Sequence, residues 1–185
     1  MLTMRTEKLD PDGQLFKLFV PPGAAGANKV YFDFWNGSDK TIEVGSIVPI
    51  ASGAAAVVGT LAVDLYLTRT TAIGTGGTAA TLESATLTEM IFSRMDTAAP
   101  PLKTGISGRL APGGGATAGA VIGFNSIFTE ETNIATYFRS NMVEGAQPGI
   151  NGRLTVRPGT GIRVVQGAVA SVGNIGFDIV FQVLP

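Results

Sequence analysis

Apolar and polar residues alternate with a period of two through much of this chain. Val30, Phe32 and Phe34 alternate with Tyr31, Asp33 and Trp35. Leu61, Val63, Leu65 and Leu67 alternate with Ala62, Asp64, Tyr66 and Thr68, the cleanest half-buried strand pattern present. Near the end, Phe177, Ile179, Phe181 and Val183 alternate with Asp178, Val180, Gln182 and Leu184. The second face of that last segment is itself partly apolar, so a strand covered on both sides is predicted. Thr41–Pro49 reads as a further extended piece with Ile42 and Val44 on one side.

Turn-forming residues separate these segments. Asn36-Gly37-Ser38-Asp39 and Gly74-Thr75-Gly76-Gly77 are breaks. Two stretches free of Gly and Pro, Thr78–Ala99 and Asn125–Glu144, are long enough for helices. The first is rich in β-branched residues, and its Glu89–Asp96 half alternates Ile91, Ser93 and Met95 with Phe92 and Arg94. A strand is predicted there and another over Asn133–Val143, with room for a short helix in Leu82–Glu89 or Ser126–Thr132. Leu154–Val164 runs an apolar alternation into Pro158-Gly159-Thr160-Gly161 and out again, which predicts a hairpin or a strand–turn–strand corner. Short strands at this spacing, without helices between them, predict an all-β fold. The expected form is a jelly-roll-like antiparallel β-sandwich, since the loops are long for a meander.

The first 27 residues read differently. Asp10-Pro11-Asp12-Gly13 is a turn, and Pro21-Pro22-Gly23 opens a breaker cluster that runs to Ala27. Two domains are therefore expected: an N-terminal arm and linker over 1–27, and the sandwich over 28–185. The arm would offer Leu15, Phe16, Leu18, Phe19 and Val20 to a partner surface. A first strand of the chain's own sandwich is the competing reading. Deleting residues 1–20 distinguishes them, because only an arm can be lost without unfolding.

Composition then narrows the chemistry. The 185 residues include 25 Gly and 10 Pro, no Cys and no His. Thiolate and imidazole catalysis, Ser-His-Asp and Cys-His arrangements, disulfides, and metal sites built on nitrogen or sulfur are excluded within this chain. None of the five Lys lies in an S-x-x-K motif, and no Gly-rich run continues into Gly-Lys-Ser/Thr, so a Ser–Lys nucleophile and a P-loop find no support. Asp10–Gly13 starts a Ca²⁺-loop pattern without completing it. Paired carboxylates remain as the one catalytic option, and Asp33, Glu43, Asp64, Glu89 and Asp178 fall on predicted strands. Outward strand positions carry such residues without any catalytic role, and 14 aromatics including one Trp provide few sugar-stacking platforms. No enzyme activity, cofactor or metal is expected.

Charge is the most informative number. Lys and Arg total 13 and Asp and Glu 14, for a net charge of −1, and charged residues form only 15% of the chain, against about 25% in ordinary soluble domains. A folded monomer of this size exposes about 8,400 Å², so charges are spread at roughly one per 310 Å². Such a surface is suited to being covered by other subunits. Neither a nucleic-acid partner nor a membrane partner is expected, because basic excess and an 18-residue apolar run are both missing. Met1–Gly13 carries Arg5, Glu7, Lys8, Asp10 and Asp12 without an apolar core, which argues against a signal peptide.

With its Leu154–Val164 turn unit, its closing strand Phe177–Leu184 and its Ser93–Pro100 segment after a Gly-rich loop, the chain resembles small jelly-roll virion proteins of tailed bacteriophages that decorate or cement the capsid. The likeness covers the layout of residues 28–185. It implies a structural protein on the capsid surface, made in the host cytoplasm, partnered by the major capsid protein and self-associating as a homotrimer. The resemblance also implies that the protein bridges neighbouring capsid subunits. Alternatives are a receptor- or glycan-binding module at a tail or fibre tip, a polysaccharide-degrading enzyme, and a cellular adhesion domain.

Overall fold

A computed structural model describes residues 14–52, 61–114, 118–129, 141–143, 154–169 and 173–185. Among them there is no helix. The strands are β1 (Gln14–Ala24), β2 (Val30–Asn36), β3 (Ile42–Ser52), β4 (Leu61–Thr70), β5 (Thr78–Ala79), β6 (Thr81–Leu82), β7 (Ile91–Arg94), β8 (Ile106–Leu110), β9 (Ala118–Thr129), β10 (Leu154–Val156), β11 (Thr160–Gln166) and β12 (Asn174–Val183).

They form two six-stranded sheets, ordered β10-β3-β12-β1-β7-β6 and β5-β8-β2-β11-β4-β9. The short strands β5 to β8 lie together at one side. Without them, the remaining eight strands place the first, last, third and sixth in one sheet and the second, seventh, fourth and fifth in the other. That is the strand order of a jelly roll. The insertion between β4 and β9 widens both sheets on the same flank.

The alternating segments bury the faces their patterns predict. Phe16, Leu18, Val20, Ile42, Val44, Ile47, Phe177, Ile179 and Phe181 from the first sheet meet Phe32, Phe34, Val63, Leu65, Leu67, Ile162 and Val164 from the second. Aromatic rings join the layers. Phe181 stacks on Phe16 at 5.5 Å between centroids and lies 4.9 Å from Phe34, while Phe177 receives the edges of Tyr31 and Phe32 at 5.4 Å each. Each such pair contributes roughly 0.5–1.5 kcal/mol beyond burial of its area.

One departure from period two explains why Tyr31 is buried. The β2–β11 register shifts between Val164 and Val165, which face Phe32 and Val30. The extra residue, Tyr31, turns inward beside Phe32, as a β-bulge allows. Its hydroxyl donates to Gln166 Oε1 at 2.6 Å.

Several expectations need correction. Residues 14–24 are not an arm. Gln14–Ala24 is β1, hydrogen-bonded between β12 and β7, so the sandwich starts by residue 14 rather than 28. The proline pair does not end the strand. It forms a bulge between Val20 and Gly23, and Gly176 leaves room for it, since a Cβ there would lie 2.7 Å from Val20 O and 2.9 Å from Pro22 N. Of the two forms open to Leu154–Val164, the strand–turn–strand corner is the one present, not the hairpin. β10 pairs with β3 and β11 pairs with β2 and β4, so Arg157-Pro158-Gly159 carries the chain from one sheet to the other. Glu83–Glu89 is a non-helical loop, and Ser126–Thr129 finishes β9. Asp10–Gly13 and most of Asn133–Val143 lie outside the described residues; Asn141–Val143 is a turn whose Asn141 Oδ1 accepts from Ile47 N at 2.9 Å.

Candidate interaction surfaces

β1 divides its side chains between two faces. Phe16, Leu18 and Val20 are at most 1% exposed and belong to the chain's own core. They are withdrawn as partner contacts, because a side chain packed against Phe181 and its neighbours has nothing left to offer. Leu15 and Phe19 point the other way and are half-buried. The expected partner set is therefore brought together only in part.

Leu15 and Phe19 share the outer face of the first sheet with apolar neighbours. One cross-strand row runs Val48, Asp178, Phe19, Ile91, and the next runs Ser46, Val180, Lys17, Ser93. Ile50 follows Val48 on the same side of β3, and Leu15 lies beside Gln182. Antiparallel sheets ordinarily give their outer face to polar residues. Here the charges on these two rows are Lys17 and Asp178, 3.0 Å apart.

Exposed large apolar groups lie instead toward the two lateral flanks, the residues of that outer face being half-buried or buried. On the widened flank these are Leu82, Leu87 and Met95; Leu87 is 76% exposed. Beside them, Arg94 Nη2 donates to Glu83 Oε2 at 2.9 Å, and Nε donates to the other carboxylate oxygen. This two-pronged bond holds the Glu83 carboxyl below its usual range. On the opposite flank Val121 and Phe124 project from β9, the edge strand of the second sheet. Phe124 packs on Tyr66 at 5.3 Å, and the row continues through Val165 to Val30 across four strands. Val169 on the β11–β12 loop is 63% exposed.

The five candidate carboxylates do not assemble. Asp33 is 1% exposed and bound twice by Arg163, with Nε to Oδ1 at 2.9 Å and Nη2 to Oδ2 at 3.3 Å; the Gly74 amide donates to Oδ2 at 2.6 Å. Asp178 is paired with Lys17, and Glu89 accepts from the Thr81 hydroxyl at 3.1 Å. Glu43 faces Gln182, four residues from Asp178 along β12, which is about 13 Å of strand. Asp64 stands four residues along β4 from Thr68, the residue level with Arg163 and Asp33, so it is separated by a similar length. Among the described residues there is also no cluster of three or more acidic groups able to hold a metal ion.

The exposed apolar residues carry little sequence signal. Phe124 follows Gly123, and Val169 follows Gly167-Ala168, so each looks like a core residue beside a turn. Only the register shows them outside. No protein-family model, no curated protein and no solved structure matches the chain.

Proposed function

We propose that this chain is a structural virion protein that decorates and cements a phage capsid, sitting on the capsid surface and bridging neighbouring subunits of the major capsid protein. The supporting observation is the outer face of the first sheet. Leu15, Phe19, Val48, Ile50 and Val180 are placed by register where an antiparallel sheet facing water would carry polar groups. Burying such a side chain contributes about 1.5–3 kcal/mol, so a few of them suffice for attachment to a neutral protein surface. The two flanks supply different apolar sets, Leu82, Leu87 and Met95 on one and Val121 and Phe124 on the other. Unlike patches on opposite flanks permit head-to-tail contacts, and the homotrimer that the resemblance implies requires the rotation between copies to close them into a ring.

Location and stoichiometry test this reading. Mass spectrometry and imaging of purified particles should find many copies on the head. A few copies at the tail would replace it with a receptor- or glycan-binding role, for which the exposed Tyr66–Phe124 pair offers a stacking surface. Absence from particles would overturn both.

A further inference from the structure

A cleft of about 380 Å³ opens where the β1 bulge, the β6–β7 loop and the end of β8 meet. Pro21, Pro22, Leu87, Leu110 and Ala111 give it apolar walls. Lys29, Tyr31, Thr88 and Asn174 are the polar residues of its lining. The volume and the mixture of apolar wall with a few polar groups are those of a small-molecule site, for which about 300–1,000 Å³ is usual.

Lys29 determines the chemistry. Nζ donates to the Ala24 carbonyl and sits 5.0 Å from the centre of the Tyr31 ring. An ammonium has three protons. One is used by Ala24 and one side faces the ring, so Lys29, a lining residue of the cleft, keeps donor capacity beyond these two contacts. Among the described residues no carboxylate lies within ion-pairing distance of it. Burial lowers the Lys29 pKa from its ordinary value, as expected for a cation removed from water without a counter-charge. The Tyr31 hydroxyl is already committed to Gln166, so it does not compete.

We propose that this cleft binds a small aliphatic carboxylate, with the anionic head on Lys29 and Thr88 and the tail against Pro21, Pro22, Leu87 and Leu110. The cation selects an anion, and the apolar walls select against a heavily hydrated one such as phosphate. The site shares Leu87 with the widened flank, but ligand binding to the isolated chain is read without any capsid, so the two readings fail separately.

The test is an NMR titration of the full chain with hexanoate, hexanol and inorganic phosphate, following the Lys29 side-chain signal. That signal is assigned by through-bond correlation from the Lys29 backbone, and the ligand's own line widths are followed in parallel so that affinity is also read in variants that lack it. Hexanoate should shift it saturably. Hexanol should bind at least about 10-fold more weakly, the loss of one charge-assisted hydrogen bond. Phosphate should leave it in place. Lys29→Met should weaken hexanoate by a similar factor. Leu87→Ser, at a position 76% exposed and so outside the core, should weaken hexanoate several-fold while leaving the fold intact. It keeps the test decisive even if Lys29→Met fails to fold. No saturable shift, equal binding of hexanol or phosphate, or full affinity in either folded variant would overturn the proposal.

Discussion

Asp33 and Arg163 form the most demanding contact in the molecule. Both side chains are nine-tenths or more buried on the outer side of the second sheet, under the segment that donates the Gly74 amide. Removing one partner leaves a charge without compensation. Arg163→Met should therefore cost about 3–5 kcal/mol in urea unfolding, and adding Asp33→Leu should recover most of it. Gly74→Ala should also destabilise, because a Cβ there would lie 2.4 Å from Asp33 Oδ2. Tyr31 gives a pH signature. Burial raises its pKa well above the ordinary phenol value. The unfolded chain releases that proton near pH 10 while the folded chain retains it, so stability falls as pH rises past 10. Ultraviolet titration should show the Tyr31 phenol ionising only with unfolding, and Tyr31→Phe should abolish that component. Asp33 stands out in the sequence as a carboxylate on a strand. Its partner lies 130 positions away, and no local pattern connects the two.

At the scale of elements, β1 decides the outcome of truncation. It lies inside its sheet with a strand on each side, and Phe16 and Leu18 are buried. Removing residues 1–20 should unfold the protein, seen as loss of its cooperative thermal transition, where an arm would have left that transition intact. Phe16→Ala alone should cost about 3–5 kcal/mol. The alternating segments Val30–Trp35, Leu61–Thr68 and Phe177–Val183 were legible because one face of each meets the core, which is what period two reports. β1 was harder to read because Pro21-Pro22 looks like a terminator, and its tolerance depends on Gly176 in another strand. The corner at Arg157-Pro158-Gly159 was legible as a turn. Which sheet each arm of the turn joins is a matter of long-range pairing, and local pattern does not encode it.

For the whole molecule, sparse charge leaves the apolar outer rows to govern association. If the contacts are apolar, light scattering should give the same cyclic assembly, a trimer, at low and moderate salt, since few ion pairs are available for screening. Phe124→Ser with Val121→Thr should dissociate the ring into folded monomers; a monomeric parent chain would remove the ring model. Jelly-roll order was foreseeable only as a class, because element count and loop length are local while strand order is global. The pairing of β1 with β12 brings Gln14 level with Val183. β1 thus waits for β12, and until β12 arrives β1 has no neighbour on that side and β3 lacks one over most of its length. Loop closure across nearly the whole chain precedes any gain from those contacts, which places refolding in the slow, millisecond-to-second regime of non-local β proteins. A nascent or C-terminally truncated chain would present two unpaired strand edges, so overexpression should give soluble protein only where synthesis is slow enough for completed chains to close before they meet one another.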